Sequence, residues 1–131
     1  MINHVVIDTN IIVSALLSHK GKPAKILGLA LGGDILMHYS EEIMTEYKDV
    51  LFRESLKFNY AEVNDVINTI IETGVLIDPE PIDIQFVDVD DKIFYETAKK
   101  CDATLVTGNI KHYPKESFIM TAAEFLQAYS E

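Results

Sequence analysis

The chain carries one cysteine, Cys101, and no tryptophan. A lone thiol closes no internal disulfide. That excludes a small disulfide-stapled domain and suits a reducing cytoplasm. Cys101 stands between Lys100 and Asp102 with no neighbouring thiol, and reads as a passive residue at a helix end. Proline and glycine are sparse, and no repeat, low-complexity tract or linker divides the 131 residues. A single domain, 1–131, is expected. No apolar stretch reaches the ~20 residues of a membrane span. The N-terminus shows no basic segment running into an apolar stretch and a small-residue cleavage site. Positive charge is scarce too: 11 Lys and Arg against 21 Asp and Glu give a formal net charge of −10. This balance argues against a general nucleic-acid binder, which needs basic surface. An acidic chain escapes the exclusion if clustered carboxylates are neutralised by a divalent cation or covered by a basic partner.

Apolar residues are abundant, at 48%, and their spacing alternates between two periods. HVVID (4–8), DILMHYS (34–40), VLI (75–77), ATLVTGN (103–109) and FIM (118–120) read as strands. Helical spacing covers 10–18, 24–33, 41–53, 60–74, 91–102 and 121–131. Ser40 precedes two glutamates in a near capping box, Thr121 opens the last helix, and glycines stop the helices at 33 and 74. The Pro- and acid-rich segment 78–90 reads as a loop. Strands alternating with helices predict an α/β fold with a central parallel sheet covered on both faces. Such a sheet binds ligands beyond the carboxyl ends of its strands, where strand order reverses.

Against that map Asp8 stands out. It follows three β-branched residues of an interior strand, where an unpaired charge is costly. It could simply cap the following helix, since Asp, Thr and Asn all cap well. Other acids arrive at the same sheet edge, however. Glu41, Glu42 and Glu46 follow the second strand. Asp88, Asp90 and Asp91 precede or open a helix, and Asn109 follows the fourth strand. Carboxylates brought together repel unless one is protonated or a cation lies between them. Hard oxygen ligands suit Mg2+ or Mn2+. A divalent ion there activates water and stabilises charge on a phosphodiester. No Ser-His-Asp elbow, Walker loop or zinc-spaced Cys/His set competes with this reading.

The segments VVIDTNIIVSAL, SEEIMTEYKDVLFR and DVDDKIFYETAKKCDATLVTGNIKHYP, taken in order, resemble the motifs of the PIN-domain family. They span nearly the whole chain. The nearest subgroup resembles the VapC-like toxin components of bacterial and archaeal toxin–antitoxin pairs. The resemblance implies a three-layer α/β/α, Rossmann-like domain. It also implies a Mg2+- or Mn2+-dependent ribonuclease acting on single-stranded RNA, an antitoxin partner and a homodimer. Carried over by residue, it makes Asp8, Glu46 and Asp91 the metal-ligand acids, with Glu42 one turn before Glu46 as a weaker candidate. Asp88 and Asp90 compete with Asp91, and Asp90 reads as a helix cap. Asn109 stands where the family often has Asp. It can offer a carbonyl oxygen but neither charge nor a base.

Asn10 is expected to order its loop through backbone hydrogen bonds, and Thr107 to hydrogen-bond near the site. Lys111 and His112 could meet RNA phosphates, although a solvated loop explains them as well. The same holds for HKGKPAK (19–25). Two rival readings stand beside the nuclease. One is a non-catalytic PIN module that binds RNA or protein, and the other is a receiver-type phosphoacceptor domain. The latter lacks support here, having one acid on the first strand and no late strand-end Lys.

Overall fold

The computed structural model describes residues 3–130. It contains β1 (Asn3–Ile7), α1 (Thr9–Leu17), α2 (Lys22–Leu31), β2 (Ile35–Tyr39), α3 (Glu41–Leu51), α4 (Tyr60–Thr73) and β3 (Val75–Leu76). These are followed by α5 (Lys92–Cys101), β4 (Thr104–Val106), β5 (Ile119–Met120) and α6 (Ala122–Ser130). Single 3₁₀ turns form at Glu54–Leu56, Val89–Asp91 and Ile110–His112. The expected alternation is thus present, though the third and fifth strands are only two residues long. The expected last helix also includes Glu131, which lies outside the described residues.

The five strands pair in the order β3-β2-β1-β4-β5, all parallel. β1 lies in the middle because its residues are apolar on both faces: Val5, Val6 and Ile7 are completely buried. This order differs from the 2-1-3-4-5 order of receiver-type folds, which removes the phosphoacceptor reading. The chain leaves β1 toward β2 and β3, then crosses back to β4. Strand order therefore reverses between β1 and β4. Because such crossovers are right-handed, the return carries α5 to the opposite face from α2 and α4. α5 packs on β1, β2 and β4, whereas α2 and α4 pack on β2.

Helix ends follow from short-range chemistry. The Ser40 Oγ accepts from the Ile43 N–H, and the Asn59 Oδ1 from the Glu62 N–H, at 3.1 Å each. Thr121 and Glu124 form a reciprocal capping box. Gly74 ends α4 where a Cβ would lie 2.7 Å from the Ile70 carbonyl oxygen, so only glycine lets the chain turn there. Cys101 is the last residue of α5. Its Sγ donates to the Thr97 carbonyl, and burial pushes the thiol pKa up. Among the described residues no helix is long and apolar enough to cross a membrane.

Candidate metal centre at the sheet switch point

Asp8 follows the last residue of β1. Its N–H still donates to the Val106 carbonyl on β4 at 2.9 Å, so the switch point itself fixes its place. The side chain is buried. Its Oδ2 accepts from the Thr107 hydroxyl at 2.7 Å and from the Tyr113 hydroxyl at 2.9 Å. Burial pushes the Asp8 pKa up. These two donors pull it partly back, and the facing amides of Thr9 and Asn10 do so less. Asp8 occupies the N-cap position of α1 but makes no side-chain capping hydrogen bond of ordinary geometry. Capping alone therefore does not account for this residue, whose ordinary hydrogen bonds go to Thr107 and Tyr113.

Glu46 comes from α3. Burial of Ile43, Met44, Tyr47 and Leu51 sets the rotation of that helix and leaves Glu46 half-buried toward α1. There its Oε2 accepts from the Thr9 hydroxyl at 2.8 Å. Burial raises its pKa most; the Thr9 bond opposes this, while the charges of Asp8, Asp90 and Asp91 add to it. One residue on, the Tyr47 hydroxyl donates to the carbonyl of Ile7, just before Asp8. Burial and then the Asp8 and Glu46 charges hold that phenol neutral.

Asp91 closes the 3₁₀ turn that leads into α5 and is almost fully buried. Burial raises its pKa, the Asp8 charge adds to the rise, and a contact with His112 opposes it. The His112 Nδ1 lies 3.1 Å from Asp91 Oδ2. Asp90, expected to cap the helix, lies inside this turn: the N-cap position of α5 is Asp91, and the turn itself is capped by Asp88, whose carboxylate accepts from the Asp90 N–H at 3.0 Å. A cap is defined by backbone angles at the turn, and three acids within four residues do not reveal which one holds them.

Asp8, Glu46, Asp91 and Asn109 line one cleft of about 360 Å3, together with Asp88, Asp90 and Arg53. Glu42 is elsewhere. It lines a separate hollow with Glu41 and residues 76–78 beside β3. The Asn109 N–H donates to the Thr107 Oγ1 at 3.0 Å, so Thr107 links the Asn109 backbone to the Asp8 carboxylate. Asn10 binds the opposite loop, its Oδ1 accepting from the Gly108 N–H at 2.9 Å. A Cβ at 108 would approach that oxygen to 3.2 Å, so the close approach favours glycine. His112 turns toward Asp91, and Asp88, Asp91 and His112 offer ligand atoms within 4.8 Å of one another. Lys111 does not line the cleft; it faces a neighbouring cavity.

Sequence reasoning missed three participants and gave a fourth, Asp88, only as a competitor to Asp91. Thr9 and Arg53 sit inside quoted motifs without a distinguishing signal. Tyr113 reaches Asp8 from 105 residues away, a contact that no local pattern announces.

A parallel sheet covered by helices on both faces, with its strand order reversing between β1 and β4, places the chain among the doubly wound α/β folds. Within that class the chain belongs to the PIN domain family, whose profile matches residues 4–111. It is 30% identical over 108 residues to the uncharacterised protein MJ1680 of Methanocaldococcus jannaschii, a match covering 80% of this chain and 70% of that protein. The fold is similar to that in the crystal structure of VapBC2 from Rickettsia felis bound to a DNA fragment from their promoter. The TM-score is 0.58 at 19% identity, covering 92% of this chain and 97% of that one. It is also similar to PAE2754 from Pyrobaculum aerophilum, with TM-score 0.60 at 15% identity and coverage of 99% and 98%.

Proposed function

We propose that this PIN domain is a divalent-metal-dependent endoribonuclease acting on single-stranded RNA, and that it is the toxin of a toxin–antitoxin pair. One observation carries the reading: Asp8, Glu46 and Asp91 line one cleft, burial pushes all three pKa values up, and neighbouring charges add to the rise at Glu46 and Asp91. Such a cluster is costly when empty and favourable around a cation.

The donor set fits Mg2+ or Mn2+. It is rich in carboxylate oxygens and contains no thiolate. Asp8, Glu46 and Asp91 would hold the ion, with Asn109 assisting through its carbonyl oxygen. A bound divalent ion supplies charge stabilisation at a phosphodiester and lowers the pKa of water beside it. The protein's own residues do the positioning. Thr107 and Tyr113 hold Asp8 in one orientation, and Thr9 holds Glu46. The carboxylates at the cleft can take a proton from the attacking water, which Asn109 cannot do.

The toxin role is supported by the fold likeness to VapBC2. An antitoxin protein as partner, a homodimer and a cytoplasmic location complete the reading. The neutral Asn109 favours a second reading, a PIN module that binds RNA or protein without cutting. Cleavage separates the two. Wild type with Mn2+ should cut single-stranded RNA, EDTA should stop it, and Asp8→Asn and Asp91→Asn should each lower the rate at least a hundredfold. No cleavage of a mixed RNA pool, with no Mn2+ binding, would overturn the nuclease reading in favour of the non-cutting module.

A further inference from the structure

Beside the acidic cleft lies a second cavity, larger and of different chemistry. Its volume is about 550 Å3, within the usual range for small-ligand pockets. Its walls are Ile110, Tyr113, Pro114, Ile119 and Met120, with Lys111 and Lys115 at its rim. The two cavities share a wall. The Tyr113 hydroxyl donates to Asp8 in the cleft, while Tyr113 also lines the second cavity. Asn109 of the cleft is followed directly by Ile110 of the cavity.

The polar groups at this cavity are unequally occupied. Glu116 accepts from the Tyr95 hydroxyl and lies 3.7 Å from the Lys99 Nζ. Glu124 accepts from the Thr121 N–H in its capping box. Lys111 and Lys115 are exposed, and neither is ion-paired among the described residues. In a chain of net charge −10 these two cations mark a place for an anion beside the carboxylates.

We infer that this cavity receives one nucleotide of the RNA, adjacent to the cleaved phosphodiester, with its base on the apolar wall and its phosphate at Lys111 and Lys115. The inference rests on the nuclease reading for its substrate and adds a subsite to it. A nucleobase is a flat, largely apolar face joined to an anion, and that is the pairing the cavity offers. An acidic peptide would match the charge. It would not explain why the apolar wall and the cleft are built on the same tyrosine.

The test reads binding, not cleavage. The full chain, labelled with 15N and kept in EDTA, is titrated with a pentaribonucleotide, and affinity is measured by fluorescence anisotropy. Ser117 is exposed at the rim, so Ser117→Trp fills the cavity from outside. Lys115→Ala removes one cation. Amide shifts should concentrate at 110–120, and each variant should bind about tenfold more weakly with an unchanged melting temperature. Wild-type affinity in both variants would overturn the inference, as would shifts that spare this loop. So would an acidic peptide shifting the loop where RNA does not. RNA held in this cavity without cleavage under Mn2+ would sink the nuclease reading and leave the site standing. Cleavage without shifts at this loop would do the reverse.

Discussion

At the scale of single residues, the site depends on donors that keep a buried carboxylate in place. Asp8 has two hydroxyl donors, Thr107 and Tyr113, on one oxygen. Burial raises the Tyr113 pKa far above its ordinary value, with the charges of Asp8 and Asp91 adding to it, so it is a neutral donor at all working pH values. Tyr113→Phe removes that donor and leaves the ring. Chemical denaturation at pH 7 should show a loss of about 1.5–3 kcal/mol, typical for a hydrogen bond to a charged group. The loss should shrink at pH 3, where Asp8 is protonated. Carboxyl 13C shifts should place Asp8 still higher in the variant. An unmoved Asp8 titration would show that the tyrosine is only packing. Asp8 itself was legible in the sequence, because a charge after Val5, Val6 and Ile7 conflicts with its surroundings. Tyr113 was not, since its role exists only once the last loop folds over the end of β1.

At the scale of elements, alternating periods were enough to locate the strands and helices, because helices covering both faces require continuous apolar strands at the centre. The edge strands were placed as well, at 75–77 and 118–120, though β3 and β5 keep only two of those residues each. Local turns were harder. The turn at Val89–Asp91 depends on the Asp88 carboxylate, which local composition does not single out from Asp90. Glu42 was the weaker candidate beside Glu46, being one turn away on the same helix. The helix meets α1 at Glu46 while its N-terminal end lies beside β3, and this sends the two acids to different cavities. Two substitutions test the element-level account by urea denaturation. Ser40→Ala should cost about 1 kcal/mol through loss of the α3 cap. Gly74→Ala should cost about 1–3 kcal/mol, because its Cβ meets a carbonyl that cannot move without unwinding the end of α4. A neutral result at 74 would mean that the end of α4 relaxes freely.

At the scale of the whole molecule, an acidic chain concentrates charge at one point of its sheet. Asp8, Glu46 and Asp91 have folded-state pKa values above their ordinary values of 3.8, 4.5 and 3.8. Between the ordinary and the raised values the folded protein holds protons that the unfolded chain has released. Their contribution to stability therefore falls as pH rises through that window, and levels off above it. The metal-free protein should melt lower at pH 7 than these groups alone would allow near pH 4. Mn2+ should raise the melting temperature at pH 7 and do little at pH 4. Equal effects of Mn2+ at both pH values would place its binding outside the cluster.

The central claim is that these three carboxylates act together as one cation site. The most direct measurement is calorimetric titration of Mn2+ into the metal-free protein at pH 7, for wild type, Asp8→Asn and Asp91→Asn. The account predicts binding by wild type and affinity weakened more than tenfold in each variant. Unchanged affinity in both, or no binding by wild type, would contradict it.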